Sequence, residues 1–111
     1  MEGKYKMKKL YVLALGVIFS TSGAYAEPGF DCRKATTPTE HVICSDDGLG
    51  VLDKEINEVY KKCLASVPDT EALRVEQRKW LKEERSDYKT DVGHLKEVYT
   101  QRIAELKAKL K

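Results

Sequence analysis

The 111-residue sequence predicts an all-α fold, a small bundle or hairpin of about four helices with a short N-terminal one and a single disulfide. Three observations carry that expectation. Apolar residues recur at three- and four-residue steps from Leu49 onward, helix-start signals punctuate the chain, and no segment alternates apolar with polar residues as a half-buried strand would. The two cysteines nearest the N-terminus, Cys32 and Cys44, flank one short segment and supply the staple.

The chain opens on Lys4, Lys6, Lys8 and Lys9, followed by the uncharged apolar run Leu10 to Phe19 and then by Ala24-Tyr25-Ala26. That order is a secretory signal, and we expect cleavage to remove residues 1–26 and leave one domain, 27–111. The apolar run is about half the 18 or more residues of a membrane span, and Ser20-Thr21-Ser22-Gly23 interrupts it, so no span is expected after cleavage. A lipidation box is not present, because Cys32 follows Phe30-Asp31. The expected location is the periplasm or the exterior. There disulfides persist, and closing the short Cys32–Cys44 loop contributes about 3 kcal/mol through the unfolded chain.

Leader removal also changes the charge. Four of 20 Lys and Arg and one of 18 Asp and Glu lie in residues 1–26, leaving 16 cations against 17 carboxylates. The basic balance of the whole chain therefore belongs to the leader, and nothing points to nucleic acid, which calls for a basic stripe with interleaved aromatics.

Thr37-Pro38-Thr39-Glu40 combines a hydroxyl N-cap, proline at the first helical position and glutamate at the third, so a short helix is expected through about Cys44. Ser45-Asp46-Asp47 starts the next, which should run to about Ser66. Its stripe is Leu49, Leu52, Ile56, Val59, Tyr60, Cys63 and Val67, while Lys54, Glu55, Glu58, Lys61 and Lys62 face water. Pro68-Asp69-Thr70 breaks the chain and caps a third helix, Glu71 to about Tyr88, burying Leu73, Gln77, Trp80 and Leu81. After a weakly helical link, residues 90–93, a fourth presents Val92, Leu95, Tyr99, Ile103, Leu106 and Leu110.

Little in this chain suits catalysis. It has two histidines, His41 and His94, each read as a partly exposed helix residue, and it lacks HExxH, CxxC, a Gly-rich phosphate loop and GxSxG. No enzyme activity, metal or cofactor is expected. Cys63 falls on the apolar stripe and reads as a buried inert thiol. Trp80, in phase with Leu73 and Gln77, reads as a core anchor, and we expect Arg78 to pair with a carboxylate of the second helix, Asp53 first.

The charges of the second helix are the best surface feature. Asp46, Asp47, Asp53, Glu55 and Glu58 face only Lys54, an excess of four negative charges, whereas Lys96, Arg102, Lys107, Lys109 and Lys111 exceed Glu97 and Glu105 by three. The reading is a solvated face with favourable dipole placement, or a docking patch for a cationic partner.

Phe30-Asp31-Cys32, Ala35 to Pro38, Ile43-Cys44-Ser45-Asp46, Leu49, Leu52-Asp53, Tyr60, Glu76-Gln77-Arg78 with Trp80-Leu81, and Tyr99 with Arg102-Ile103 together resemble the N-terminal domain of the LprI family of lysozyme inhibitors. The similarity spans nearly the whole mature chain. It implies a small, exported, disulfide-bonded helical protein of the bacterial envelope whose partner is a lysozyme. The alternative is an immunity-like or envelope-assembly binding protein. The family pattern has a second cysteine pair around Asp91, where this chain has Tyr88 and His94, so the last two helices are tied there only if those two side chains pack together. Many lysozymes are strongly cationic and work through two carboxylates in a cleft. On that ground Ser45, Asp46, Asp47, Asp53 and Glu58 are the expected contact face, with Tyr60, Gln77, Arg78, Trp80 and Tyr99 as structural core.

Overall fold

The computed structural model describes residues 28–111, so the expected leader and its cleavage site lie outside the described residues. The described chain is helical, with no strand among its residues. A 3₁₀ turn, Cys32–Lys34, leads into α1 (Pro38–Ser45), α2 (Asp47–Ser66) and α3 (Thr70–Trp80); a π-helical turn, Leu81–Arg85, follows, and α4 (Val92–Ala108) closes the fold. Cys32 and Cys44 are disulfide-bonded with their Cα atoms 5.8 Å apart, pinning the 3₁₀ turn to the end of α1.

Each helix starts where a side chain captures its first free amides. The Thr37 hydroxyl accepts from the Glu40 amide, and the Glu40 carboxylate accepts from the Thr37 amide at 3.2 Å, a complete capping box. Asp46, Asp69 and Asp91 cap α2, α3 and α4 by accepting from the amides of Leu49, Ala72 and His94.

α2 and α4 form the main packed pair. Their contacts advance together, Asp46 with Lys96, Asp53 with Tyr99 and Cys63 with Leu106, so the two helices run parallel. α3 runs back over this pair, placing Gln77 on Arg102 and Trp80 on Tyr99. The core is Ile43 of α1, Leu49, Ile56, Val59 and Cys63 of α2, Leu73 and Trp80 of α3, and Leu95, Val98, Tyr99, Ile103 and Leu106 of α4. Each large aliphatic side chain buried in this way contributes about 2 kcal/mol. Leu52, Tyr60 and Val67 pack on its margin.

Three expectations about α3 and α4 are corrected. The α-helical part of α3 ends at Trp80, not near Tyr88, and the chain passes through an i to i+5 turn closed by the Ser86 amide on the Leu81 carbonyl at 2.8 Å. Leu81, at the start of that turn, is 39 % exposed and lies off the Leu73–Gln77–Trp80 line. Leu110 falls beyond α4 and is likewise partly exposed.

Candidate functional site

The expected contact residues do not gather into one face. Ser45 is exposed at the end of α1, its hydroxyl donating to the Val42 carbonyl at 3.1 Å. Asp46 caps α2 and lies 3.5 Å from Lys96 of α4. Lys96 can lie across the start of α2 because residue 48 is glycine, where a Cβ would meet the lysine Cε and Nζ at 2.9 Å. Asp47 and Glu58 are exposed, and their eleven-residue spacing puts them on one outer stripe of α2.

Asp53 is a correction. It is 5 % exposed and belongs to the interior, since the Tyr99 hydroxyl donates to Oδ1 at 2.6 Å and the Gly29 amide donates to Oδ2 at 2.8 Å. Asp53 lies three residues before Ile56 and four after Leu49, so it sits on the buried stripe of α2 and not on the outward face expected for it. Gly29 approaches α2 so closely that any Cβ there would collide with Asn57. Burial first, and then the Asp53 carboxylate, push the Tyr99 phenol far above its ordinary value, so it remains a donor. Arg85 in turn donates to the Tyr99 oxygen at 3.1 Å and stands over the Phe30 ring, 5.9 Å from its centre. One buried network thus ties the segment before Cys32 to α2, α4 and the end of α3.

Arg78 is the second correction. Placed among the core residues by the sequence reading, its side chain is 64 % exposed and pairs loosely with Glu71 at 3.6 Å instead of with Asp53. It lies one residue past Gln77, a rotation of about 100° that carries it to the solvent side. Gln77 and Trp80 are buried, and Trp80 meets Tyr99 edge to face at 5.1 Å.

The interior arginine is Arg102, 5 % exposed, with Nε donating to Gln77 at 2.9 Å and Nη1 donating to Glu76 and Glu105 at 3.0 and 3.1 Å. Its buried Nη2 has no hydrogen-bond partner among the described residues. Burial alone would raise the Glu76 carboxyl, but hydrogen bonds from Arg102 and Lys109 outweigh it and hold that carboxyl below the ordinary glutamate value. The signal for this network was an arginine in step with Leu95, Val98, Tyr99 and Leu106 on the apolar stripe of α4. Around it α3 and α4 enclose an open cleft of about 420 Å³, walled by Glu76, Glu83, Glu84 and Glu105 against Lys79 and Arg102.

The charge separation expected between the second and fourth helices is partly cancelled, because Lys96 reaches Asp46 and Lys107 reaches Glu55 at 2.9 Å. What stays negative outward is Asp47 and Glu58 on α2 and Glu83 and Glu84 at the α3–α4 cleft, where Glu76 and Glu105 are paired with Arg102 and Glu76 also with Lys109. Cys63 is fully buried, its thiol donating to the Leu106 carbonyl at 3.1 Å, and burial pushes its pKa up. Tyr88 and His94 do not pack together: Tyr88 is 80 % exposed, and the exposed His94 ring lies 3.4 Å from the Lys89 ammonium.

Among the described residues no cluster of His, Cys, Asp or Glu is placed to hold a metal ion, and no helix is long and apolar enough to cross a membrane. A protein-family model described as lysozyme inhibitor LprI matches residues 32–110. Comparison with curated proteins and with solved structures gave no match.

Proposed function

For a chain that belongs to the LprI family of lysozyme inhibitors, we propose export to the cell envelope and inhibition of a lysozyme by binding, without chemistry of the protein's own. The observation that carries this reading is the family match, which covers nearly all of the chain left after leader removal. A disulfide-pinned, capped helical scaffold suits an inhibitor, since a surface already ordered before docking loses little entropy on binding.

The electrostatics support the same reading. Asp47 and Glu58 on one outer stripe of α2, with Ser45 at the α1–α2 corner, supply the negative surface for approach, while Asp46 is partly offset by Lys96 and Asp53 has no part in it. A cationic enzyme is drawn to such a face and its encounter is accelerated, an effect that salt screens. In a lysis assay on cell walls, excess purified protein is expected to slow a susceptible lysozyme, and to do so with a faster onset at low than at physiological salt. Unchanged lysis across several lysozyme classes at stoichiometric excess would remove this function.

A further inference from the structure

The connection between α3 and α4 carries a side chain that the packing does not account for. Tyr88 is 80 % exposed, yet the backbone on both sides of it is held. The fully buried Thr39 of α1 donates its amide to the Asp87 carbonyl at 3.3 Å and its hydroxyl to the Lys89 carbonyl at 2.8 Å. The Tyr88 amide donates to the Ser86 hydroxyl at 3.3 Å. Ser86 itself has φ 60° and ψ 168°, a conformation that costs a non-glycine residue about 1–3 kcal/mol. An outward aromatic ring on a backbone hydrogen-bonded at both neighbours needs only its own side chain ordered on docking, which is the character of a binding anchor.

Beside Tyr88 lies a shallow cavity of about 540 Å³, where Leu81 is half uncovered and Arg78, Lys82 and Arg85 line the wall against Asp87. Arg85 is engaged with Tyr99 and Phe30, and Arg78 makes only the long pair with Glu71. Lys82 has no partner among the described residues. The patch is therefore a tyrosine ring and an aliphatic side chain backed by two outward cations. A lysozyme's sugar cleft has the complementary character, with surfaces for pyranose rings and two carboxylates at its centre.

We propose that the Ser86–Lys89 loop enters the sugar cleft of the inhibited lysozyme, with the Tyr88 ring in the place of a sugar ring and Lys82 and Arg78 facing the catalytic carboxylates. This rests on the inhibitor reading above. The acidic corner then has a place in the same complex. Thr39 holds the loop, and Ser45 lies six residues further along α1, about 9 Å away at 1.5 Å per residue. Asp47, just past that end of α1, is the exposed carboxylate on this side that meets the enzyme's cationic exterior, Asp46 being held by Lys96.

The test measures inhibition of a susceptible lysozyme by the purified protein, with and without a soluble chito-oligosaccharide that fills the sugar cleft. Competition between oligosaccharide and inhibitor is expected. Tyr88→Ser should raise the inhibition constant on the order of thirtyfold, and Lys82→Glu about tenfold, with melting temperature and helical circular dichroism unchanged. A folded Tyr88→Ser protein that inhibits like the parent, or an oligosaccharide that leaves inhibition untouched, overturns the loop and spares the inhibitor reading. A parent protein that inhibits no lysozyme overturns both. The oligosaccharide competition uses the parent protein alone, so it decides the matter even if a variant does not fold.

Discussion

The N-terminal segment that carries α1 and the turn that returns α3 to α4 meet at Thr39, yet they are held by different means. The first is closed by the Cys32–Cys44 bond and reinforced by the Thr37–Glu40 capping box. The second has no crosslink, and its order comes from Thr39 reaching across to two carbonyls and from the Ser86 amide on Leu81. A covalent closure acts largely by restricting the unfolded chain, whereas hydrogen bonds to a buried threonine exist only while α1 is in place. The turn therefore depends on the segment: what positions α1 also positions the loop.

That dependence can be broken in steps. The largest effect is expected from Cys32→Ser with Cys44→Ser, or from reduction: about 3 kcal/mol lost, a fall of roughly 15 °C in a thermal melt for a domain of this size. A melt insensitive to reductant would show that the capping box and Ile43 hold α1 unaided. Thr39→Val comes next. It removes the hydroxyl bonded to the Lys89 carbonyl and should cost about 2 kcal/mol, with amide exchange accelerated in residues 86–91 well before α2. Equal acceleration in both would mean that the loop opens only with the whole fold.

A smaller effect follows from acid. The Thr36 amide, then the Thr37 amide, hold the Glu40 carboxyl below its ordinary value, as Arg102 and Lys109 hold Glu76. The unfolded chain thus takes up these protons at higher pH than the folded one, and stability is lost as the pH falls through about 4.5 and then through the depressed values. Glu40→Gln should flatten part of that slope in melts taken across the acid range. The smallest effect is that of Tyr88→Ser, less than about 0.5 kcal/mol, since its ring packs on little. A larger loss would show that the ring steadies the loop.

Much of the fold was legible because its signals are local. Thr37, Asp46 and Asp69 each cap a helix by bonding an amide three residues on, a relation that sequence spacing states directly, whereas the cap of α4, Asp91, lies in the stretch read only as a weakly helical link. The stripes of α2 and α4 follow from helical period alone. The site was harder to read. Asp53 looked like one more carboxylate of an acidic helix, and its burial depends on Tyr99 and Gly29, 46 and 24 residues away. Arg102 and Arg78 are equally charged, yet one is interior and the other exposed because helical phase and the facing Gln77, Glu76 and Glu105 sort them.

What the sequence by itself determined was the all-helical class, the helix starts, the Cys32–Cys44 staple and the apolar faces, because propensity, capping and period act within a few residues. Only the tertiary structure decided that α2 and α4 run parallel with their charges partly paired, that Asp53 and Arg102 are interior, and that Thr39 holds the carbonyls on both sides of an exposed Tyr88. Those outcomes rest on bonds between residues up to 50 positions apart, for which no local pattern competes.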